Sequence, residues 1–505
     1  MTDLEKKVDL ILNCGEQRRA SDHLDDGGST RQQPAANIEV PATHHHNHQP
    51  LGDLENSSQP QFHIQKSYIP EPAVVHALDV YFERVHRQPI WCFNRQDLGY
   101  NTEISKELIY SVLELTARFS WDRNHEPQHF GESAKWSIML RVANDTVELE
   151  TIESFCLLSY SAFIGKPLWI PFLCARVDFE KMVICTLASF TLALGFQLCR
   201  SAKLDRPHNE DLTAERGKRL IWSFQTLEQF YSGQHGFLRT TTEGWRPYYL
   251  SESGNTVFPR DAAGSSDIGI WSHSLHFGWV WSRVREYVFE CSRNKLIEPW
   301  RLDSTYAKVL ADMTEIENMV PLCHRYDKVR FYERRPDEVQ RDRDYWMPWL
   351  KLQFTWHSIL TLINHPFLYI VASQYHPNLA IPNTFWRKSS ELVLLHATWI
   401  VRTIDMTYDK KVKLLDPFLG HAAAIAATVH LYFCCAADSR LRQKSKTDFA
   451  KCRKFLKGFS SFSPACERLV SYSFCFSSDA GVILIGSGPV ARQTVPNSIR
   501  IRKHG

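Results

Sequence analysis

Residues His125 to His129 carry the letters of the zinc metalloprotease motif, two histidines four positions apart with Glu126 after the first. That chemistry needs both imidazoles on one face of a helix, with the glutamate acting as base for a metal-bound water. Pro127 lies inside the required turn and restricts Glu126 towards an extended conformation. The polar flanks also differ from those of a buried active-site helix. We therefore interpret the match as a coincidence.

A helical terpene cyclase is another enzyme class to weigh, because it needs clustered aspartates to hold magnesium and pyrophosphate. Asp25 and Asp26 lie in polar, low-complexity sequence. The aspartates between Arg341 and Tyr345 alternate with arginines and predict a self-neutralising surface. The sequence has no glycine-rich phosphate loop after a strand and no nucleophile elbow. The run from Gly486 to Gly488 lacks the strand and helix that such a loop needs around it.

Histidines 44, 45, 46 and 48 form a short tract that is more typical of low-complexity sequence than of a metal site. The 13 cysteines are scattered through apolar segments, and none forms a Cys-x-x-Cys pair, so the pattern favours reduced core thiols over disulfides or a thiolate zinc site. The sequence thus predicts no catalytic, cofactor-binding or metal residue, and we expect the chain not to be an enzyme.

The composition predicts a large hydrophobic core, and the net charge of the chain is small. The 505 residues are 44% hydrophobic and 12% aromatic, and the formal net charge of +3 gives no bulk attraction to nucleic acid. The basic run from Arg440 to Lys457 is interpreted as a solvated helix face. The charged start from Met1 to Ala20 is unlike a secretory signal, and Met182 to Cys199 favours a buried central helix over a membrane span. We expect no membrane partner.

The order of polar and apolar residues predicts an all-α fold. Residues 13 to 66 are polar and predict disorder, and helical periodicity begins after Tyr68. The clearest stripes are Leu108, Val112, Leu115 and Phe119; Leu220, Phe224, Leu227 and Tyr231; and Leu352, Trp356, Ile359 and Ile363. Val482 to Ile485 is a lone candidate strand, and Gly244 to Gly269 and Pro377 to Pro382 are predicted loops. We predict a tail at 1–67, a large multi-helix domain at 68–475 and an irregular tail at 476–505.

The alanine-rich segment that follows Asp416 predicts a helix with a sharp start. Asp416 can accept hydrogen bonds from the first free amides, and Pro417 fits the first helical position. Ile425, Val429 and Tyr432 share one face, and the alanines allow a neighbouring helix to approach closely.

This segment and three others together resemble the fungal-specific transcription factor regulatory domain, the middle homology region of fungal zinc-cluster transcription factors. The other three are Gln88 to Phe93, a pair formed by Leu194 to Leu198 and Glu215 to Phe224, and Leu360 to Leu368 with its His-Pro-Phe end. Glu215 suits the positive end of its helix, and we expect Arg219 to pair with it one turn later. The residues that carry the resemblance are Trp91, Gly195, Glu215, Arg219, Trp222, His365, Pro366, Pro417, Gly420 and His421.

The resemblance implies a nuclear regulator of RNA polymerase II genes, in a metabolic or secondary-metabolite gene cluster. It also implies a homodimer or a heterodimer with a related regulator, and a small-molecule effector in an interhelical cavity. DNA would be bound indirectly, through a zinc cluster that this sequence does not contain, because Cys14 is the only cysteine before Cys92. Zinc is expected only if an upstream cysteine cluster exists. Leu4, Val8 and Ile11 resemble the start of the family's dimerisation segment.

Two alternatives stay open. The chain could act without a zinc cluster, as an interaction partner or corepressor of a related regulator. It could also be an α-helical enzyme with an unrecognised site. Trp169 to Ser189 is longer than the corresponding segment of the family, and we interpret it as a mis-spliced or divergent insertion.

Overall fold

The computed structural model describes residues 71–98, 104–119, 127–165, 179–204, 212–232, 269–292, 298–375 and 381–471. The structure is 81% helical, and the described residues contain no strand. The all-α prediction is therefore confirmed. All of these residues belong to a unit that begins at Tyr68. The predicted tails, the candidate strand and most of both predicted loops lie outside the described ranges.

Fourteen helices longer than six residues follow one another in these ranges. They are α1 (Glu71–Val80), α2 (Lys106–Ala117), α3 (Pro127–Ala143), α4 (Leu149–Ile164), α5 (Phe179–Ser201), α6 (Leu212–Tyr231), α7 (Gly269–Ser292), α8 (Thr305–Met319), α9 (Arg343–Ile363), α10 (Pro366–Tyr375), α11 (Asn383–Asp409), α12 (Pro417–Phe433), α13 (Ser439–Lys457) and α14 (464–471). A π-helical turn, Tyr81–Val85, continues α1, and short helices at Arg95–Leu98, Leu322–His324, Tyr326–Val329, Phe331–Glu333 and Pro336–Arg341 complete the set.

Helix α9 lies at the centre of the C-terminal half and packs against α7, α11 and α12. Its predicted stripe is buried except for Trp356, which is half-buried. The helix ends at Ile363 and Pro366 begins the next one. The predicted helix end is confirmed: a proline ring fits the first turn of a helix and disrupts its interior.

The N-terminal half is built around α4, which packs against α2, α5 and α6. Nearly every residue of α4 after its first two is buried, so this helix is enclosed on all sides and buries polar residues such as Glu153 together with its apolar ones. The predicted stripes of α2 and α6 are buried against it. Helix α5 contains Met182 to Cys199, but it is only partly enclosed, since Phe190 is 51% exposed. The prediction of a buried central helix therefore holds for one face, on which Ala188, Leu192, Phe196 and Cys199 are buried.

Helices α12 and α13 form a closely packed pair. The alanines of α12 are buried, as predicted. Helix α13 buries Leu441, Cys452, Phe455 and Leu456, while the basic residues Arg440, Arg442, Lys444, Lys446, Lys454 and Lys457 are exposed. The solvated basic face is therefore confirmed.

The metalloprotease-like letters lie only in part within the described residues. Pro127 is the first residue of α3, and His129 is exposed in that helix. His125 and Glu126 lie outside the described residues, as do residues 169–178 of the expected insertion. Among the described residues, no helix has the length and apolar character of a membrane span, and the nine cysteines whose side chains are described form no disulfide.

Candidate functional site

Three of the motif residues meet where the loop after α1 packs on α6 and α7. Trp91 and Trp222 form a buried apolar group with Trp271 and Leu275. The Trp91 ring lies 5.7 Å from that of Trp271, edge to face, and its main-chain N–H donates to Ser223 Oγ at 2.8 Å. An indole at a helix junction contributes a large buried area and a fixed orientation.

Arginines surround this indole pair. The guanidinium carbon of Arg87 lies 3.7 Å from the centre of the Trp91 ring, and that of Arg219 lies 5.4 Å away. Arg343, at the start of α9, donates to the carbonyl oxygen of His86 at 2.9 Å. We call Arg87, Trp91, Arg219, Trp271 and Arg343 the arginine–tryptophan cluster.

The expected pairing of Arg219 with Glu215 was wrong. Arg219 donates to Asp97 Oδ2 at 2.5 Å, and Glu215 pairs instead with Lys218 at 2.7 Å. Arg219 is only 4% exposed, and Asp97 lies in the short helix that packs beside it. A buried partner is screened less by water than an exposed one, so the tertiary contact replaces the local one.

A second ion pair lies one turn earlier on α6. Arg216 donates to both carboxylate oxygens of Glu153 on α4, each at 2.6 Å. The Glu153 side chain is fully buried. Burial raises the pKa of Glu153 to about 7, although Arg216 acts in the opposite direction. Bidentate pairing of this kind fixes the orientation of one helix on another.

The N-terminal residue of α12 forms a further buried polar group, which we call the Asp416 junction. Asp416 Oδ1 accepts from the main-chain N–H of Phe418 at 3.0 Å and from the Tyr231 hydroxyl, while Oδ2 lies 3.0 Å from Lys351 Nζ. The predicted helix cap is thus confirmed. Burial lowers the pKa of Lys351, and the carboxylate of Asp416 opposes that shift. The junction joins α6, α9 and α12.

The two motif histidines are buried and have different neighbours. His365 Nε2 lies 2.9 Å from Thr428 Oγ1 on α12, and burial lowers the pKa of His365 to about 3. Burial, with a smaller effect from Arg285, lowers the pKa of His421 to about 3 as well. Arg285 itself donates to the carbonyl oxygens of Gln229, at 2.8 Å, and Ser232 at the end of α6. Neutral imidazoles in these positions serve packing rather than proton transfer at neutral pH.

Both motif glycines mark close approaches between helices. A Cβ atom at Gly195 would lie 2.5 Å from the ring of Phe224 on α6, and one at Gly420 would lie 3.0 Å from Cys466 Sγ. Pro366 and Pro417 each begin a helix. The motif residues therefore lie at several helix junctions, and the structure brings only Trp91, Arg219 and Trp222 into one group.

Several residues of these groups were not found from the sequence. Lys351, Asp97 and Glu153 form buried contacts described above, yet none carried a motif. Arg343 was predicted to lie in a self-neutralising surface run, and this was wrong: its side chain is only 13% exposed and donates to the His86 carbonyl oxygen. For Lys351 a signal existed: it stands in the run Trp349 to Leu352, between apolar residues of a buried helix. A lysine is seldom fully buried unless it is paired, so its position predicts an acidic partner without saying which one.

The described residues contain an apolar interhelical cleft. It lies between α1 and α2 and is lined by side chains such as Val74, Leu78 and Ile109. Its lining offers almost no polar surface to orient a ligand.

No known family model, no curated protein and no solved structure matches this chain. Within the described residues, no group of three or more histidine, cysteine or acidic side chains is arranged to hold a metal ion. The buried ion pairs are therefore the main chemical feature of this site. They join helices and form one locally basic group.

Proposed function

We propose that this chain is the regulatory part of a nuclear transcription regulator of RNA polymerase II genes. The observation that carries the proposal is the order of the four motif segments along a large helical domain. Further support comes from the positions of the motif residues, which hold helix junctions together. DNA contact would come from a zinc cluster outside this sequence, supplied by a further module or by a partner.

The regulatory role rests on a domain that acts as one connected unit. The Arg219–Asp97 and Arg216–Glu153 pairs join α6 to its neighbours, and the Asp416 junction joins α6 to α9 and α12. A signal that changed the packing of one of these helices would be transmitted to the others, because packed interfaces change between discrete arrangements.

The experiment that tests the proposal is a tethered reporter assay. The full chain is fused to an unrelated DNA-binding domain and expressed in a filamentous fungus, and transcription is measured from a promoter that carries the corresponding binding sites. We expect several-fold activation or repression relative to the DNA-binding domain alone, and a nuclear signal for the chain expressed with a fluorescent tag. Unchanged transcription from a fusion that is expressed and nuclear would rule out the regulatory role.

Matched variants connect the reporter signal to the folded domain. Gly195→Trp places a large side chain against Phe224 and should abolish the effect, because the site has no room even for a Cβ atom. In Gly217→Ala, on α6, the nearest contacts of the new Cβ atom are in the flexible side chain of Leu204. This variant should keep the effect on transcription. Equal transcription from both variants would mean that the helical domain is not the source of the signal.

A second candidate is the interaction partner of a related regulator. An apolar row on α3 favours it: Trp136, Met139 and Leu140 are 61%, 48% and 52% exposed at helical spacing. Exposed apolar rows of this kind are typical of protein contacts. In co-purification from cells that express a tagged zinc-cluster regulator, the chain should be recovered with it, and Trp136→Ser with Met139→Ser should reduce recovery. Recovery that is absent, or unchanged in the variant, would exclude this use of α3.

A further inference from the structure

Unused hydrogen-bond donors are concentrated in the arginine–tryptophan cluster. Arg219 Nε, Arg343 Nη2 and the indole Nε1 of Trp271 are buried and have no hydrogen-bond acceptor in the parts of the chain that the structure describes. The Nδ1 atom of His86 is in the same situation. Buried donors are nearly always paired in folded proteins, because leaving one unpaired is unfavourable.

These donors come from separate parts of the fold, and three of them belong to residues that lie around the Trp91 ring. Trp271 contacts the Trp91 ring edge to face, and Arg219 lies over it. The His86 ring lies 6.3 Å from the Trp91 ring, and Arg343 donates to the His86 carbonyl oxygen. The loop after α1, α6, α7 and the start of α9 each contribute one of the four.

The carboxylates near the cluster pair with its arginines unequally. Asp97 and Asp344 contact the guanidinium groups, and the charge of Glu83 also acts on Arg343. Asp97 pairs with Arg219 at 2.5 Å. Asp344 lies farther from its arginines, 3.7 Å from Arg87 and 4.0 Å from Arg343, and its side chain is 42% exposed. The ion pair between Arg343 and Asp344 is therefore long and partly solvated.

We propose that the arginine–tryptophan cluster binds a small oxyanion, a carboxylate or a phosphate, through Arg219, Arg343 and the indole N–H of Trp271. Guanidinium groups match the geometry of both oxyanions and bind them more strongly than neutral donors do. The bound oxygens would accept from donors that the fold leaves unpaired, and the guanidinium groups of Arg219 and Arg343 would stabilise the negative charge. This binding does not depend on a role in transcription.

Thermal unfolding of the purified full chain tests the site, with inorganic phosphate and sodium acetate as probes. Sodium chloride at the same ionic strength is the reference, because a ligand that binds the folded state alone raises its melting temperature in a saturable way. We expect the melting temperature to rise to a plateau with phosphate, with acetate or with both. A rise with phosphate alone would assign the site to phosphate, and a rise with acetate would assign it to carboxylates. If neither phosphate nor acetate raises the melting temperature more than sodium chloride does, the proposal is overturned.

Two variants locate the effect. Trp271→Phe keeps an aromatic ring and removes the N–H, and Arg343→Gln removes the guanidinium; each should raise the apparent Kd of the effective probe by about tenfold. The matched controls are Trp279→Phe on the same helix, at a residue that is 39% exposed, and Arg341→Gln, where the side chain is 70% exposed. Circular dichroism checks that the variants remain folded. An unchanged Kd in both Trp271→Phe and Arg343→Gln would place the anion elsewhere and overturn the proposal.

Discussion

Lys351 Nζ lies 3.0 Å from Asp416 Oδ2, although the two residues stand on different helices and both side chains are less than 10% exposed. The same carboxylate caps α12 through the Phe418 amide and accepts from the Tyr231 hydroxyl. One side chain thus starts a helix, neutralises a buried lysine and anchors the end of a third helix. Loss of its charge would leave Lys351 buried without a counter-ion.

Asp416→Asn is the first prediction. Asparagine can still cap the helix, but removing one charge of a buried pair typically costs about 3–5 kcal/mol. We expect a loss of that size in the free energy of unfolding, measured with urea. Asp438→Asn, at the exposed cap of α13, should change it by about 0.5 kcal/mol or less. Adding Lys351→Met to Asp416→Asn should restore part of the loss. Equal losses in the free energy of unfolding for Asp416→Asn and Asp438→Asn would contradict this account.

Gly195→Ala tests the close approach of α5 to α6. Alanine favours helix by up to about 1 kcal/mol over glycine, but the new Cβ would lie 2.5 Å from the Phe224 ring. We expect net destabilisation of about 1–3 kcal/mol from overpacking, seen as a lower denaturation midpoint. Gly217→Ala should be neutral or stabilising, since the flexible Leu204 side chain is its nearest contact at 3.1 Å. A neutral Gly195→Ala would show that the two helices can separate at no cost.

The buried histidines predict loss of stability in acid. His421 has a pKa near 3 in the folded chain against an ordinary value of 6.5, so between these values the unfolded chain binds more protons. The free energy of unfolding should therefore fall as the pH falls from 6.5, by at most about 1.4 kcal/mol per pH unit for this group. His421→Gln should flatten the profile measured by urea denaturation, and His76→Gln, at an exposed position, should leave it unchanged. A profile unaffected by His421→Gln would argue against a neutral buried imidazole.

For the buried carboxyl group of Glu153 we predict that stability depends on pH with the opposite sign. Its pKa is about 7 in the folded chain against an ordinary 4.5, so the folded chain holds the extra proton between these values. The contribution of Glu153 to stability is therefore present below pH 4.5 and is lost as the pH rises towards 7. Relative to the native chain, Glu153→Gln should gain stability as the pH rises from 5 to 7. Glu132→Gln, on the exposed face of α3, serves as the control and should show no such trend. A constant difference between Glu153→Gln and the native chain would mean that Glu153 stays ionised beside Arg216.

Periodicity and local caps were readable from the sequence because they depend on neighbours within one or two turns. The stripes of α2, α6 and α9, the start of α12 at Asp416 and the break before Pro366 all follow from the spacing of a few residues. The same reasoning failed for Arg219, where an i,i+4 partner was expected. The side chain is buried against the loop that carries Asp97, and nothing in the α6 sequence indicates that loop.

The sequence by itself determined that this chain forms helices, where several of them begin and end, and which of their faces are buried. Only the tertiary structure decided which charged side chains meet: Lys351 with Asp416, Arg216 with Glu153, and Arg343 with the loop before Trp91. The physical reason is that the energy of a buried charge depends on the partner within a few ångströms. That partner is chosen by the packing of helices far apart in the chain, which no local pattern of residues specifies.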